Sequence, residues 1–275
     1  MDVSRKPVVT GDPPSRPVRR TAPVGGSGSL ASVALPPARA ISTAPSSTAA
    51  ERRARLAVLR DDVRGCARCP QLVAARTTVV FGAGDPDADV LLVGESPGRS
   101  EDQQGVPLVG APGRLLTDLL AEVGLRREDV FVTTALKCRT PSNRDALAEE
   151  LANCRSHLHD QIALVRPKVV CTLGTFATKL LREDPAGIKA VRGTVEVRTL
   201  GTRTVRLLPV LHPVAALYEA GHVELLRADL ALLPGLLARP EPPQPAPWRP
   251  EPAPEPVPED AVVDGPAPGD QLGLF

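Results

Sequence analysis

From residue 51 onward, short unbroken apolar runs alternate with longer stretches in which apolar residues recur every three or four positions. Leu56, Leu59 and Val63 stand at i, i+3 and i+7 among arginines and aspartates, which predicts a surface helix over 51–64 with one buried stripe. A β-like run at Thr77–Phe81, a turn at Gly82–Asp87 and a buried strand at Asp89–Val93 follow. Leu115, Leu116, Leu119, Leu120 and Val123 then mark a helix that Gly124 ends. Val130–Thr134 predicts a second strand. Ser142-Asn143-Arg144-Asp145 has the form of a capping box opening a helix, whose apolar face carries Leu147, Leu151, Cys154, Leu158, Ile162 and Val165. A third strand at Lys168–Leu173 is closed by Gly174 and followed by a helix at Thr175–Leu181. Residues 194–199 and 204–211 read as a hairpin around Gly201-Thr202, and a helical stretch finishes near Leu237.

Strands and helices in alternation predict a mostly parallel sheet flanked by helices. Such a sheet gathers the carboxyl ends of its strands on one edge, where α/β proteins build ligand sites. Four segments meet there: the loop from Gly94, Thr134 to Cys138, Gly174, and His212. The stretch Val90–Leu116, VLLVGESPGRSEDQQGVPLVGAPGRLL, is the richest of them. It joins a buried run to a helix through a loop holding Glu95, Glu101, Asp102 and five glycines. Its spacing matches neither GxGxxG nor GxxxxGK[ST], so no nucleotide-fold fingerprint applies.

Composition sets the limits of the folded unit. Of 31 prolines, 8 fall in residues 1–50 and 12 in residues 239–275. Neither end has the apolar periodicity of a core, so both are expected to be disordered, leaving a domain at 51–238. The first arm is basic, six Arg/Lys against two acids, and the last is acidic, two against seven. The net charge of +1 gives no global basic field. No run approaches the ~18 apolar residues of a membrane span, and the N-terminus lacks an apolar secretory core. A cytoplasmic location and a monomer are expected.

Cys66, Cys69, Cys138 and Cys154 follow the pattern C-x2-C-x68-C-x15-C. In a cytosolic chain such cysteines point to metal before disulfides. The spacing accommodates a four-thiolate zinc site or an iron–sulfur cluster. Cys171, inside an apolar strand, reads as core. His157, His159 and His222 read as surface residues.

With these motifs in view, residues 66 to about 235 resemble the family 4, iron–sulfur branch of the uracil-DNA glycosylases. GESPGRSEDQQGVPLVGAPGRLL is similar to that family's GE-x-PG…ED…G-x-P-F-VG…G-x-LL, LKCRTPSNRD to its KCRPP-x-NR, and LHPVAAL to its HP motif. The resemblance implies an α/β/α sandwich around a mostly parallel four-stranded sheet, with a [4Fe–4S] cluster on Cys66, Cys69, Cys138 and Cys154. It implies a DNA repair glycosylase that hydrolyses the N-glycosidic bond of a flipped uracil or related deaminated base. His212 would bond the base oxygen as charge develops, and Glu95 or Glu101 would orient the water or offset sugar charge. Gly94, Ser96, Leu108, Thr134 and His212 would surround the base, and Arg114, Lys137, Arg139 and Arg144 would contact phosphates.

Two positions depart from the family. Its stacking phenylalanine is here Leu108, and its base-reading asparagine is here Thr134. Ser96 and Pro112 also replace smaller residues. The alternatives are a non-catalytic or altered-specificity DNA-binding paralogue and, more remotely, a zinc-stabilised α/β protein. The terminal Gln271-Leu272-Gly273-Leu274-Phe275 resembles the pentapeptide with which bacterial repair proteins grip the sliding clamp, implying Gln271, Leu272, Leu274 and Phe275 as clamp contacts.

Overall fold

The computed structural model describes residues 48–219 and 221–246; the first 47 residues, and the last 29 with the terminal pentapeptide, lie outside the described residues. Helix α1 (Ala49–Arg64) opens on a reciprocal cap, in which the Thr48 side chain accepts from Glu51 N and Glu51 accepts from Thr48 N. Its stripe Leu56, Leu59 and Val63 is buried as the spacing predicts. Helix α2 (Pro70–Ala75) starts directly after Cys69.

The stretch expected as a strand at Thr77–Phe81 is not one. Its amides turn to Asp102, whose carboxylate accepts from Thr77 N at 2.9 Å and Thr78 N at 3.2 Å. The Phe81 carbonyl is taken by the side chains of Thr133 and Gln161. Side chains thus take three of its backbone groups and a backbone bond, Val80 N to Lys137 O at 2.8 Å, ties it to the chain after β3, although Val79, Val80 and Phe81 are buried.

Six strands form one sheet among the described residues: β1 (Ala83–Gly84), β2 (Val90–Gly94), β3 (Phe131–Thr134), β4 (Val169–Leu173), β5 (Glu196–Leu200) and β6 (Arg203–Val210), in the order β1-β3-β2-β4-β6-β5. The central four, β3, β2, β4 and β6, are parallel. They are the four-stranded sheet expected, extended by the short antiparallel edge strands β1 and β5. Strands β2 and β4 are buried at every position, as continuous apolar runs in a parallel sheet must be.

Between β2 and β3 lie α3 (Arg99–Gln104), a turn of helix inside the loop that the sequence pattern did not announce, and α4 (Gly110–Glu122). Helix α5 (Ala148–Val165) follows β3, but it begins three residues past the expected capping box. Ser142 and Asn143 adopt positive φ in a short 3-10 turn instead, and the amide of Leu147 is capped by Glu150 Oε2 at 2.9 Å. Helices α6 (Gly174–Arg182) and α7 (Ile188–Val191) follow β4; α8 (Pro213–Tyr218), α9 (His222–Leu230) and α10 (Leu233–Leu237) close the chain.

One core lies where α1, α5 and α6 cover the sheet, and a second where α4 and α8 to α10 cover the other face. The described chain runs past the expected boundary at 238. Gln244 bonds both the amide and the carbonyl of Thr204, at 3.1 and 2.9 Å, as a neighbouring strand would. No described helix is long and apolar enough to cross a membrane.

Candidate functional site

The carboxyl ends of the parallel strands bring Gly94, Thr134, Gly174 and His212 together. Gly94 lies opposite Thr134 in the β2–β3 ladder. The chain beyond keeps the two strands zipped, Ala135 N on Gly94 O and Leu136 N on Glu95 O, both at 2.9 Å. A Cβ on Gly94 would stand 3.5 Å from the Thr134 methyl and 3.8 Å from His212 Nε2, so these three residues enclose one small space.

His212 ends the β6 segment and caps α8, its Nδ1 accepting from Val214 N at 3.1 Å. That bond leaves the ring proton on Nε2, the nitrogen nearest Gly94. Crowding by protein lowers the pKa to about 4, so the ring is neutral at ordinary pH. The cap is therefore part of the chemistry, because it fixes the tautomer.

Thr134 has turned its polar end away. Its Oγ1 donates to Leu136 O at 2.5 Å, which leaves the methyl beside Gly94 and the oxygen as an acceptor alone.

The two candidate acids differ. Glu95 is half-buried and its carboxylate has no hydrogen-bond partner among the described residues. Burial raises its pKa, and nearby Asp145 adds to the rise. Glu101 accepts from Val109 N at 3.3 Å and so ties α3 to the start of α4. Ser96 follows Glu95, half-buried, in the same loop.

Leu108 stands at φ +52°, a left-handed conformation uncommon for a branched residue. Gly113 permits it, since a Cβ there would lie 2.1 Å from Leu108 O. The Leu108 side chain packs on the core beneath α4. Beside it runs an open cleft of about 630 Å³, bordered by Gly84, Gly110, Arg114 and Arg127.

Of the four expected phosphate contacts, Arg114 is exposed on this cleft. Arg139 is half-buried and reaches Asn143 at 3.0 Å, and Arg144 pairs with Glu150 at 2.6 Å. Lys137 is a correction. It is 1 % exposed, and its ammonium donates to Thr133 Oγ1, Thr134 O and Gln161 Oε1 at 2.6–2.7 Å, so it presents nothing to a phosphate. The whole run from Phe131 to Cys138 is buried, and three oxygens there substitute for water around the ammonium.

A second constellation lies away from this edge. Cys66 follows α1, Cys69 precedes α2, Cys138 sits in the loop after β3 and Cys154 on the inner face of α5, and all four line one small cavity of about 20 Å³. They are free thiols, as is Cys171, buried in β4 as expected. Among the described residues no three Cys, His, Asp or Glu side chains converge on a point to hold a single ion; the thiols rim the cavity instead. Burial pushes the Cys154 thiol up to about 11 and raises Cys69 and Cys138 as well.

The donors around these sulfurs fit an anionic sulfur group. Arg76 Nη1 lies 3.1 Å from Cys138 Sγ, Lys137 N 3.4 Å from Cys154 Sγ, and Asn153 Nδ2 3.6 Å from Cys69 Sγ. Arg76 also holds Cys66 O at 2.9 Å, tying the CxxC turn to the loop after β3. His157 is a second correction: it is 6 % exposed and lines this cavity. Its position three residues after Cys154 was the signal, since i and i+3 share a helix face. Nothing in the sequence marked Arg76.

Known proteins agree with this architecture. The family model described as the Uracil DNA glycosylase superfamily matches residues 81–231. The chain is 39% identical over 186 residues to the type-4 uracil-DNA glycosylase of Archaeoglobus fulgidus, covering 66% of this chain and 92% of that protein. It is 40% identical over 163 residues to the type-4 uracil-DNA glycosylase of Thermotoga maritima, covering 59% and 83%. A type-5 uracil-DNA glycosylase of Thermus thermophilus is 32% identical over 147 residues, covering 42% and 67%.

Proposed function

Because the chain belongs to the uracil-DNA glycosylase superfamily, we infer that it is a DNA repair glycosylase hydrolysing the N-glycosidic bond of a flipped uracil or related deaminated base. The observation that carries this reading is the neutral His212 with its Nε2 proton held beside Gly94 and Thr134.

A base inside a duplex is out of reach and has to be swung into a pocket. Val214, Leu217 and Tyr218, exposed on α8 directly after His212, offer an apolar ridge to the stack it leaves. As the glycosidic bond lengthens, negative charge grows on the departing base and positive charge on the sugar. His212 Nε2–H donates to the base oxygen where that charge collects. Glu95, ionised, offsets the sugar cation and orients the attacking water. Glu101 is committed to the Val109 amide, which favours Glu95 for this role. Arg114, at the open cleft, and Arg139 receive phosphates.

Cys66, Cys69, Cys138 and Cys154 would hold a [4Fe–4S] cluster, whose chemistry here is to cross-link three segments rather than to react. Arg76 and the Lys137 amide would steady its sulfurs. With Glu95 and His212 in place, a silent DNA-binding paralogue is not favoured.

We also propose that the terminal Gln271–Phe275 peptide docks on a sliding clamp. In support, Gln244 holds the described end of the chain against Thr204, at the opposite end of β6 from His212. Deleting residues 271–275 should abolish clamp binding in a pull-down while base release from free DNA stays unchanged.

The purified chain should release uracil, hypoxanthine or xanthine from single- or double-stranded DNA. A protein carrying its cluster that releases none of them would overturn the enzyme reading.

A further inference from the structure

Helix α5 turns four polar side chains toward the cysteine cavity: Glu150, Asn153, Cys154 and His157. Three are accounted for, Asn153 by its contact with Cys69 Sγ. Glu150 is closed by Arg144 and by the Leu147 amide, and Cys154 Sγ accepts from the Lys137 amide. His157 is different. Its Nε2 is buried and has no hydrogen-bond partner among the described residues. A buried polar atom left without a partner destabilises the fold, a cost removed when the occupant of the cavity supplies the partner.

The remaining wall shows which kind of partner. Arg76, Asn153 and the Lys137 amide already direct N–H groups at three of the sulfurs. A four-thiolate zinc ion adds no acceptor beyond the thiolates, whereas an iron–sulfur cluster brings inorganic sulfides that accept. We propose that His157 is a positioning residue of the cluster, donating its Nε2 proton to a cluster sulfur. This rests on the reading of the four cysteines as cluster ligands. It gives the chain a means to hold the cluster and set its charge, because hydrogen bonds to sulfur favour the more negative, reduced state. It also makes the cavity favour a sulfide-bearing group over a bare ion.

The test uses the full chain, purified without oxygen, and compares wild type with His157→Phe and His157→Gln. Wild type should contain iron and acid-labile sulfide in equal amounts. With His157→Phe the cluster midpoint potential should fall, its half-life against EDTA should shorten several-fold, and an exchangeable-proton coupling on the reduced cluster should disappear. His157→Gln, which keeps an N–H, should recover part of each. A His157→Phe protein with a full cluster, the wild-type potential and the wild-type coupling overturns the proposal. Wild-type protein labelled with 15N-histidine tests it without a variant: one weakly coupled nitrogen supports it, and none, or a strong coupling marking direct ligation, overturns it. Wild type that binds zinc and no sulfide overturns the cluster reading itself, and this proposal with it.

Discussion

The cysteine cavity and the strand-end site use their polar groups in opposite directions. Around the cavity, Arg76, Asn153 and the Lys137 amide point inward at sulfur, and His157 Nε2 points at nothing the chain provides. At the strand ends the polar groups turn back on the protein: Thr134 to Leu136 O, Glu101 to Val109 N, His212 Nδ1 to Val214 N. His212 Nε2 and the Glu95 carboxylate stay available among the described residues. A site that holds a permanent group surrounds it with donors. A site that must accept and release a base commits most of its groups to its own rigidity and keeps a few for the transition state.

Breaking each region in turn tests this contrast, and the largest effect belongs to the cavity. Replacing Cys138 or Cys154 by Ser should abolish iron incorporation and most of the soluble folded protein, measured by iron content and circular dichroism, because both thiols also pack in the main core. At the strand ends the fold should survive. His212→Ala should lower single-turnover base release by about 10²–10³-fold with the cluster spectrum unchanged.

The pH profile separates the two groups proposed as catalytic. Burial raises the Glu95 pKa, and the group acts ionised, so activity should fall as pH drops through a value above the usual ~4.3 of a glutamate. His212, with its pKa lowered to about 4, stays neutral across that fall. Glu95→Gln should remove the acid limb together with most of the rate, whereas Glu101→Gln should leave the limb in place.

Lys137 links the regions, since it lies between Cys138 and the Thr134 carbonyl. Lys137→Met should reduce stability by about 1–3 kcal/mol in denaturant titration, by leaving Thr134 O and Gln161 Oε1 short of a donor. The smallest effect should come from Thr134→Val, within about twofold on base release, because the hydroxyl proton already serves Leu136. Thr134→Asn, which adds a donor facing the base, should sharpen the preference for uracil over cytosine.

The apolar pattern alone placed the four parallel strands, the long helices and the convergence of Gly94, Thr134 and His212 at one edge. Period and strand alternation are local properties, and they bury the same residues whatever else the chain does. Four cysteines and the loop acids were legible because their chemistry is narrow. What tertiary structure alone decided was the direction and company of individual polar groups. Lys137 lies inside because three oxygens from β3 and α5 surround it. Thr77–Phe81 lies outside the sheet, with Asp102, Thr133 and Gln161 taking Thr77 N, Thr78 N and Phe81 O. The Gln161 contact of Lys137 and the bonds to Thr77 and Phe81 join groups 24 to 80 residues apart along the chain, and a hydrogen bond at such range leaves no periodic trace in sequence.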